Sequence, residues 1–270
     1  MIAIVRHPAV AGQFYPKNPE DLRTAVASYC WPKKNLIPAI GCVVPHAGYI
    51  YSGPVAGAVY SDLEIPQSCI ALCPNHTGKG PPLSIMSRGG WETPLGVASI
   101  DSALAGALRD KFPLLTEDAE AHRSEHAIEV QLPFLQVSRP DFRFVPIVLG
   151  TNKFEILEAL GNAIGELLAA EPGPVLILAS SDMNHYENDA VTRIKDHKAI
   201  DQILAVNARG LFDVVMQEKI SMCGVGPAVA MLIAARHLGA AKARLIRYAT
   251  SGDVSGDRAM VVGYAGMVVR

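Results

Sequence analysis

Short apolar runs rich in β-branched residues recur along this chain, and stretches with helical spacing separate them. The runs cover residues 40–44, 69–72, 142–149, 175–179, 245–248 and 260–269. Most of them lack strict alternation of apolar and polar residues, which is typical of strands that are covered on both faces. Strands that alternate with helices in this way predict an α/β fold, a three-layer sandwich around a central mixed, mostly parallel sheet.

The stretches between the runs place apolar residues at spacings of three and four, which predicts helices over residues 125–136, 153–170 and 228–238. Asp101 is positioned to cap the first turn of a further helix. The Gly- and Pro-rich segment 78–96 predicts a long loop or hairpin. Because no linker or internal repeat divides the chain, we expect a single domain over residues 1–270.

Composition disfavours two classes of partner. The 270 residues carry a net charge of -2, and the longest basic tract is Lys33–Lys34, whereas nucleic-acid binding needs clustered positive charge. Arg6, His7 and Pro8 interrupt the apolar N-terminal stretch, which therefore does not resemble a signal peptide. No apolar run approaches the roughly 18 residues that a membrane span needs. We expect neither a nucleic-acid partner nor a membrane segment.

Three histidines follow three of the predicted strands. His46 comes after residues 40–44, His76 after 69–72 and His185 after 175–179. Ligands of open α/β sheets bind beyond the carboxyl ends of the strands, so these imidazoles can meet at one edge of the sheet. Converging neutral imidazoles suit a divalent transition metal. The alternative for each is a hydrogen-bonded surface residue at the start of a loop.

A third protein ligand is expected at such a centre, and Cys223 is the candidate. It precedes the predicted helix 228–238, and a thiol near a helix N-terminus has a lowered pKa, which favours the metal-binding thiolate. A small buried hydrophobe is the alternative reading of this residue. The other four of the five cysteines are predicted to be core residues. An odd number without a CxxC pair predicts reduced thiols and a cytoplasmic location.

The remaining histidines have weaker context. His122 and His126 either approach the same edge of the sheet or belong to a helix N-terminal network with Glu125 and Glu129. The others are predicted to be surface residues: His7, His197 and His237.

Several segments resemble motifs of the Memo family, whose prokaryotic members are called AmmeMemoRadiSam system protein B. They are RHPAVAGQFYP (6–16), PHAGY (45–49) with YSG (51–53), PNH (74–76), WETPLG (91–96), EHAIEVQLPF (125–134), SSD (180–182) with HY (185–186), CG (223–224) and GYA (263–265). The resemblance runs through nearly the whole chain, and its order of motifs is specific. It implies a fold similar to that of the class III extradiol dioxygenases, which are non-haem iron enzymes.

The resemblance also implies roles for individual residues. His46 and His76 match the two histidine ligands of those dioxygenases, and His185 matches their acid/base residue. Memo proteins have a cysteine as the third ligand, at Cys223 here, where the dioxygenases have a glutamate. That departure argues against ring cleavage. It leaves ferrous iron as the first expectation for the cofactor, with copper and zinc as alternatives.

Four further residues enter the predicted site. Phe14 matches an aromatic residue that lines the family's pocket, and Tyr51 and Asn75 are predicted to contact substrate. Asp182 either orients an imidazole, as carboxylates near metal ligands do, or caps a turn.

Three functions follow as hypotheses. The first is a redox or dioxygenase-related metal oxidoreductase that acts on a small molecule. The others are a non-catalytic module that binds a peptide or phosphorylated ligand in the same cleft, and a zinc hydrolase with Glu125 or Glu129 as its base. The family's system name also implies an AMMECR-domain protein and a radical SAM protein as partners.

Overall fold

The computed structural model describes residues 4–32 and 35–270, so Lys33–Lys34 and the first three residues lie outside the described residues. The described strands are β1 (Val5–Arg6), β2 (Gly41–Val44), β3 (Ser68–Pro74), β4 (Leu83–Ile85), β5 (Gly90–Thr93), β6 (Gly96–Ile100), β7 (Thr116–Glu117), β8 (Arg143–Leu149), β9 (Val175–Ser180), β10 (His185–Glu187), β11 (Ala243–Thr250) and β12 (Val261–Val269). The described helices are α1 (Pro19–Tyr29), α2 (Tyr49–Asp62), α3 (Ser102–Lys111), α4 (Glu120–Arg123), α5 (Leu132–Ser138), α6 (Phe154–Leu168), α7 (Asp189–Leu204), α8 (Ala208–Gln217), α9 (Val225–His237) and α10 (Gly252–Ser255).

The strands form one mixed sheet in the order β1-β5-β6-β8-β3-β9-β2-β12-β10, with β11 paired to β12, β4 to β8, and β7 to β4. Its centre is parallel, because β8, β3, β9 and β2 pair in parallel, while β12 runs antiparallel to β2. In the register, Val44 lies opposite Ser180 and Leu72 opposite Ala179. The carboxyl ends of β2, β9 and β3 therefore meet at one edge, as the sequence predicts.

Helices cover both faces of the sheet. A Cβ atom on Gly41 would lie 2.5 Å from Sδ of Met231 in α9, and one on Gly266 would lie 2.4 Å from Val59 in α2. Gly41 pairs with Val269, which is three residues from Gly266 on the same strand, so the two glycines face opposite sides. The predicted three-layer α/β fold with a mixed, mostly parallel sheet is confirmed.

One predicted helix begins later than its periodicity indicates. Residues 125–128 are not helical, a 3₁₀ turn covers Glu129–Gln131, and α5 begins at Leu132. Pro133 favours a helix start there, because proline has no backbone N–H to donate within the first turn. The predicted N-cap is confirmed, since the amide of Leu104 donates to Oδ1 of Asp101 at 3.1 Å. The segment 78–96 contains β4 and β5. Among the described residues, no helix is both long and apolar enough to cross a membrane.

Candidate metal centre

Two histidines and a cysteine meet at the carboxyl edge of the sheet. His46 lies two residues after β2, His76 lies two residues after β3, and Cys223 comes just before Gly224, the N-cap of α9. Their candidate ligand atoms all lie within 4.8 Å of one another. The juxtaposition that the sequence predicts is therefore present, although the chain positions are far apart.

The His46 ring has a defined tautomer. Ser180 Oγ donates its only proton to the carbonyl of Ala127 at 2.7 Å and accepts from Nε2 of Gln131 at 2.9 Å. Nδ1 of His46, 3.0 Å from the same Oγ, must then be the donor. Nε2 consequently carries the lone pair, and it lies 3.2 Å from Cys223 Sγ. The ring thus presents a ligand atom to the centre.

The His76 ring is fixed by a carboxylate instead. Glu125, which is fully buried, accepts from Nδ1 of His76 at 2.9 Å and from its backbone amide at 2.7 Å. Oε1 of Glu125 also accepts from the amide of Ala127 at 3.0 Å. A carboxylate that holds the far nitrogen of a histidine is the usual arrangement behind metal-bound imidazoles. Nε2 of His76 is thereby left as the available ligand atom.

Burial shifts the pKa values of His46 and Cys223 in the directions that favour their neutral forms. Burial and the neighbouring His76, His126 and His185 lower the pKa of His46, so this ring is neutral, as metal ligation requires. Burial and the charge of Asp182 raise the pKa of Cys223 well above its ordinary value. The sequence-based expectation of a lowered thiol pKa is therefore wrong, because burial and Asp182 outweigh the N-terminus of α9. An ion at this thiol has to displace a proton.

A family model described as "Memo-like protein" matches residues 6–268. The chain belongs to the Memo family. MEMO1 family proteins of Methanopyrus kandleri and Aquifex aeolicus are 43% and 44% identical to it, with 98% of this chain and 99% and 98% of those proteins covered. One of Methanothermobacter thermautotrophicus is 40% identical, with coverage of 97% and 99%.

The crystal structure of the uncharacterized protein JW3007 from Escherichia coli K12 has a similar fold. The TM-score is 0.58 at 13% identity, and the match covers 84% of this chain and 98% of that one. At this identity the likeness concerns the fold alone.

In this Memo chain, Asp182 supports the backbone rather than an imidazole. Its Oδ1 accepts from the amide of His46 at 2.7 Å, and its own amide donates to Cys223 Sγ at 3.3 Å. No hydrogen bond joins its carboxylate to a ring nitrogen in the part of the chain that the structure describes. Burial raises the pKa of Asp182 to about 7. The residue thus ties two ligand-bearing loops together, and its catalytic role stays a prediction.

His185 lies beside the cluster but outside the convergent set of ligand atoms. Its amide donates to Ser221 Oγ at 2.7 Å, and Nδ1 donates to the carbonyl of Ser221 at 2.9 Å. Nε2 is therefore the atom with a free lone pair. Burial lowers the pKa of His185 and keeps the ring neutral. These features are compatible with the predicted acid/base role, which stays a prediction.

The three predicted substrate contacts differ in their surroundings. The ring of Phe14 lies 4.8 Å from that of His126. Tyr51 lies in the first turn of α2 with 36% of its surface exposed. The side chain of Asn75 is used within its own loop, because Oδ1 accepts from the amide of Gly78 at 2.9 Å and Nδ2 donates to the carbonyl of Lys79 at 2.7 Å. Its contacts therefore indicate a loop-stabilising role.

Sequence reasoning left the position of His126 open. Its ring stacks on His76 at 4.8 Å and 24°, and its centroid is 5.4 Å from that of His46. His76, Glu125 and His126 form a second group whose candidate ligand atoms lie within 4.8 Å of one another. The direct succession of Glu125 and His126 in a segment rich in polar residues is the sequence signal for this group.

Glu129 belongs to a different, structural network. Its carboxylate binds the Arg6 guanidinium and accepts from the hydroxyl of Tyr15 at 2.6 Å and the amide of Ala9 at 2.8 Å. Arg6 also donates to the carbonyl of Glu125 at 2.7 Å. This network anchors the N-terminal segment to Glu129 and to the backbone of Glu125. The predicted surface residues are confirmed as exposed: His7, His197 and His237.

Proposed function

We propose that this Memo protein holds a redox-active metal ion with His46, His76 and Cys223 and acts on a small molecule. The observation that carries the proposal is the convergence of three ligand atoms within 4.8 Å. The hydrogen bonds of Ser180 and Glu125 leave a lone pair on each ring for that ion. Two nitrogens and a sulfur fit iron, copper or zinc better than a hard cation.

When bound, such an ion supplies electron transfer or Lewis-acid activation of an oxygen-containing ligand. The chain itself orients that ligand and manages its proton. Nε2 of His185 is the proton acceptor, since Nδ1 is committed to the carbonyl of Ser221. Phe14 supplies an apolar face beside His126. This division of roles is that of a non-haem metal oxidoreductase.

The two alternatives receive less support. A phosphate-binding cleft needs positive charge, but His46 is held neutral by burial and the Asp182 carboxyl adjoins it. The zinc hydrolase hypothesis takes Glu125 or Glu129 as the base, but Glu129 is bound to Arg6 and both oxygens of Glu125 hold His76. A metal oxidoreductase uses the neutral His46 imidazole as it stands.

Metal analysis of protein purified without oxygen tests the proposal. The double variant His46→Ala/His76→Ala should lose its iron, copper or zinc. The double variant His197→Ala/His237→Ala removes two exposed imidazoles and should keep the metal content of the wild type. Equal metal content in the first variant and the wild type would refute the centre. Oxygen consumption that depends on an added substrate and disappears in Cys223→Ala would support the redox role.

We also propose that the chain works with an AMMECR-domain protein and a radical SAM protein, as its family's system name implies. Affinity purification of the tagged chain from its native host should recover one or both. Recovery of neither, at a bait concentration that retains known weak complexes, would count against this partnership.

A further inference from the structure

We propose that His76, Glu125 and His126 form a second ligand set, which takes a hard divalent cation such as Mn²⁺. Because this set shares His76 with the centre proposed above, it extends that proposed function. The two sets would then compete for a single ion, and the softness of the ion would decide which set holds it.

The atoms of the second set have the spacing of metal ligands. Oε1 of Glu125 lies 2.9 Å from Nδ1 of His76 and 3.5 Å from Nδ1 of His126. Ligands at about 2.1 Å from an ion lie ~3 Å apart when they are adjacent in its coordination sphere. A cation that replaces the proton between His76 and Glu125 therefore finds donor atoms near the spacing of its ligands, and both rings turn their lone pairs toward it on binding.

Neighbouring aromatic rings hold the His126 ring beside Glu125. It stacks on His76 at 24° and is covered by the ring of Phe14, with centroid distances of 4.8 Å on both sides. Within residues 4–32 and 35–270, its ring nitrogens have no hydrogen-bond partner apart from the 3.5 Å approach to Glu125. Packing therefore fixes the ring, while its nitrogens stay available for a ligand.

The charge of Glu125 favours a cation at this place. The carboxylate is fully buried, and in the described part of the chain its ion-pair partners are the imidazoles of His76 and His126. Arg6 contacts Glu125 only through the backbone carbonyl. A buried carboxylate gains most from a full positive charge beside it. The carboxylate also suits a hard ion such as Mn²⁺ better than a thiolate does.

Because both sets use His76, its tautomer decides which of the two sets can bind an ion. A neutral imidazole has one lone pair. With the proton on Nδ1, shared with Glu125, Nε2 serves the set that contains Cys223. With the proton on Nε2, Nδ1 serves the set that contains Glu125. One neutral His76 ring therefore supports one ion at a time.

Anaerobic titration with Co²⁺ tests the second set, because cobalt bound to a thiolate has a charge-transfer band in the near ultraviolet. Wild type and His126→Asn should both show that band. Cys223→Ser should bind about one equivalent of Co²⁺ without the band. In the Cys223→Ser background, adding His126→Asn should weaken Co²⁺ binding at least about tenfold. Circular dichroism checks that each variant is folded.

Equal Co²⁺ affinity in Cys223→Ser and Cys223→Ser/His126→Asn would overturn the second set. Failure of Cys223→Ser to bind Co²⁺ would also overturn it, while a thiolate band in the wild type would leave the proposed function standing. A wild type that binds Co²⁺ without the band contradicts the proposed function instead. If the double variant does not fold, His126→Gln in the Cys223→Ser background replaces it, with the same loss expected.

Discussion

His46 and His76 follow the two strands that flank β9, yet different chemistry holds them. The far nitrogen of His46 donates to the neutral hydroxyl of Ser180, and burial lowers the pKa of this ring. The far nitrogen of His76 donates to the Glu125 carboxylate. Burial alone would lower the pKa of His76, but Glu125 outweighs it and the pKa is raised.

This difference separates two tasks within one site. The His46 side is a neutral, buried ligand that is ready for an ion. The His76 side couples an ion to a proton, because a cation competes there with the proton that Glu125 stabilises. The charged side also depends on a wider support, since Arg6 links Glu129 to the carbonyl of Glu125.

The largest expected effect is a loss of stability when the ion pair between Arg6 and Glu129 is broken. Glu129→Gln should lower the free energy of unfolding by about 3–5 kcal/mol, because it leaves Arg6 charged and buried without its partner. Chemical denaturation measures the loss. Glu92→Gln, which removes the exposed partner of His7, should change stability by less than about 0.5 kcal/mol. A similar loss of stability in both variants would show that the buried ion pair contributes no more than the exposed one.

Removing the hydrogen-bond partner of each ring separately tests the difference between His46 and His76. Glu125→Gln should weaken metal binding ~10–100-fold, as loss of a carboxylate behind a metal-bound histidine does. Ser180→Ala should weaken it by roughly fivefold, since one neutral hydrogen bond contributes about 1 kcal/mol. Anaerobic isothermal titration with Fe²⁺ measures both, with the exposed Ser28→Ala as control. The reverse order of effects would contradict the distinction drawn between the two sides.

In the metal-free protein, the stability contributions of His46 and His76 should change with pH in opposite directions. The pKa of His46 is lowered in the fold, so its contribution to stability falls as pH drops below the ordinary value of 6.5. The raised pKa of His76 makes its contribution present below 6.5 and lost as pH rises through the folded pKa. The lowered pKa of Glu125 makes its contribution present above 4.5 and lost as pH falls through the folded pKa.

Urea denaturation across this pH range separates these contributions. His46→Asn should flatten the loss of stability on the acid side of 6.5. Glu125→Gln should flatten the loss on the alkaline side. Parallel pH profiles in wild type and both variants would show that these groups do not titrate differently in the folded and unfolded chain.

The smallest expected effect concerns the loop that carries His76. Asn75→Ala should cost about 1 kcal/mol of stability, because its side chain bonds only within residues 75–79. Metal affinity should stay within about twofold of the wild type. A loss of small-molecule binding without a loss of stability would instead support the predicted substrate contact at this residue.

The local sequence pattern determined the central strands, the position of the site and the family of this protein. Apolar runs predicted the central strands, and the residues that follow them predicted the edge where His46 and His76 meet. This works because side chains after parallel strands necessarily collect at one edge of a sheet. The motifs in segments such as 45–49 and 125–134 were specific enough to identify the family.

Only the tertiary structure decided how the site is charged. Glu125 reaches His76 across 49 residues, and it lies in the non-helical segment 125–128, where the periodicity predicted a helix. The half-buried thiol of Cys223 is desolvated and lies beside Asp182, which reverses the pKa shift expected from its place before α9. Desolvation and charge depend on neighbours brought together by packing, and local sequence does not specify those neighbours.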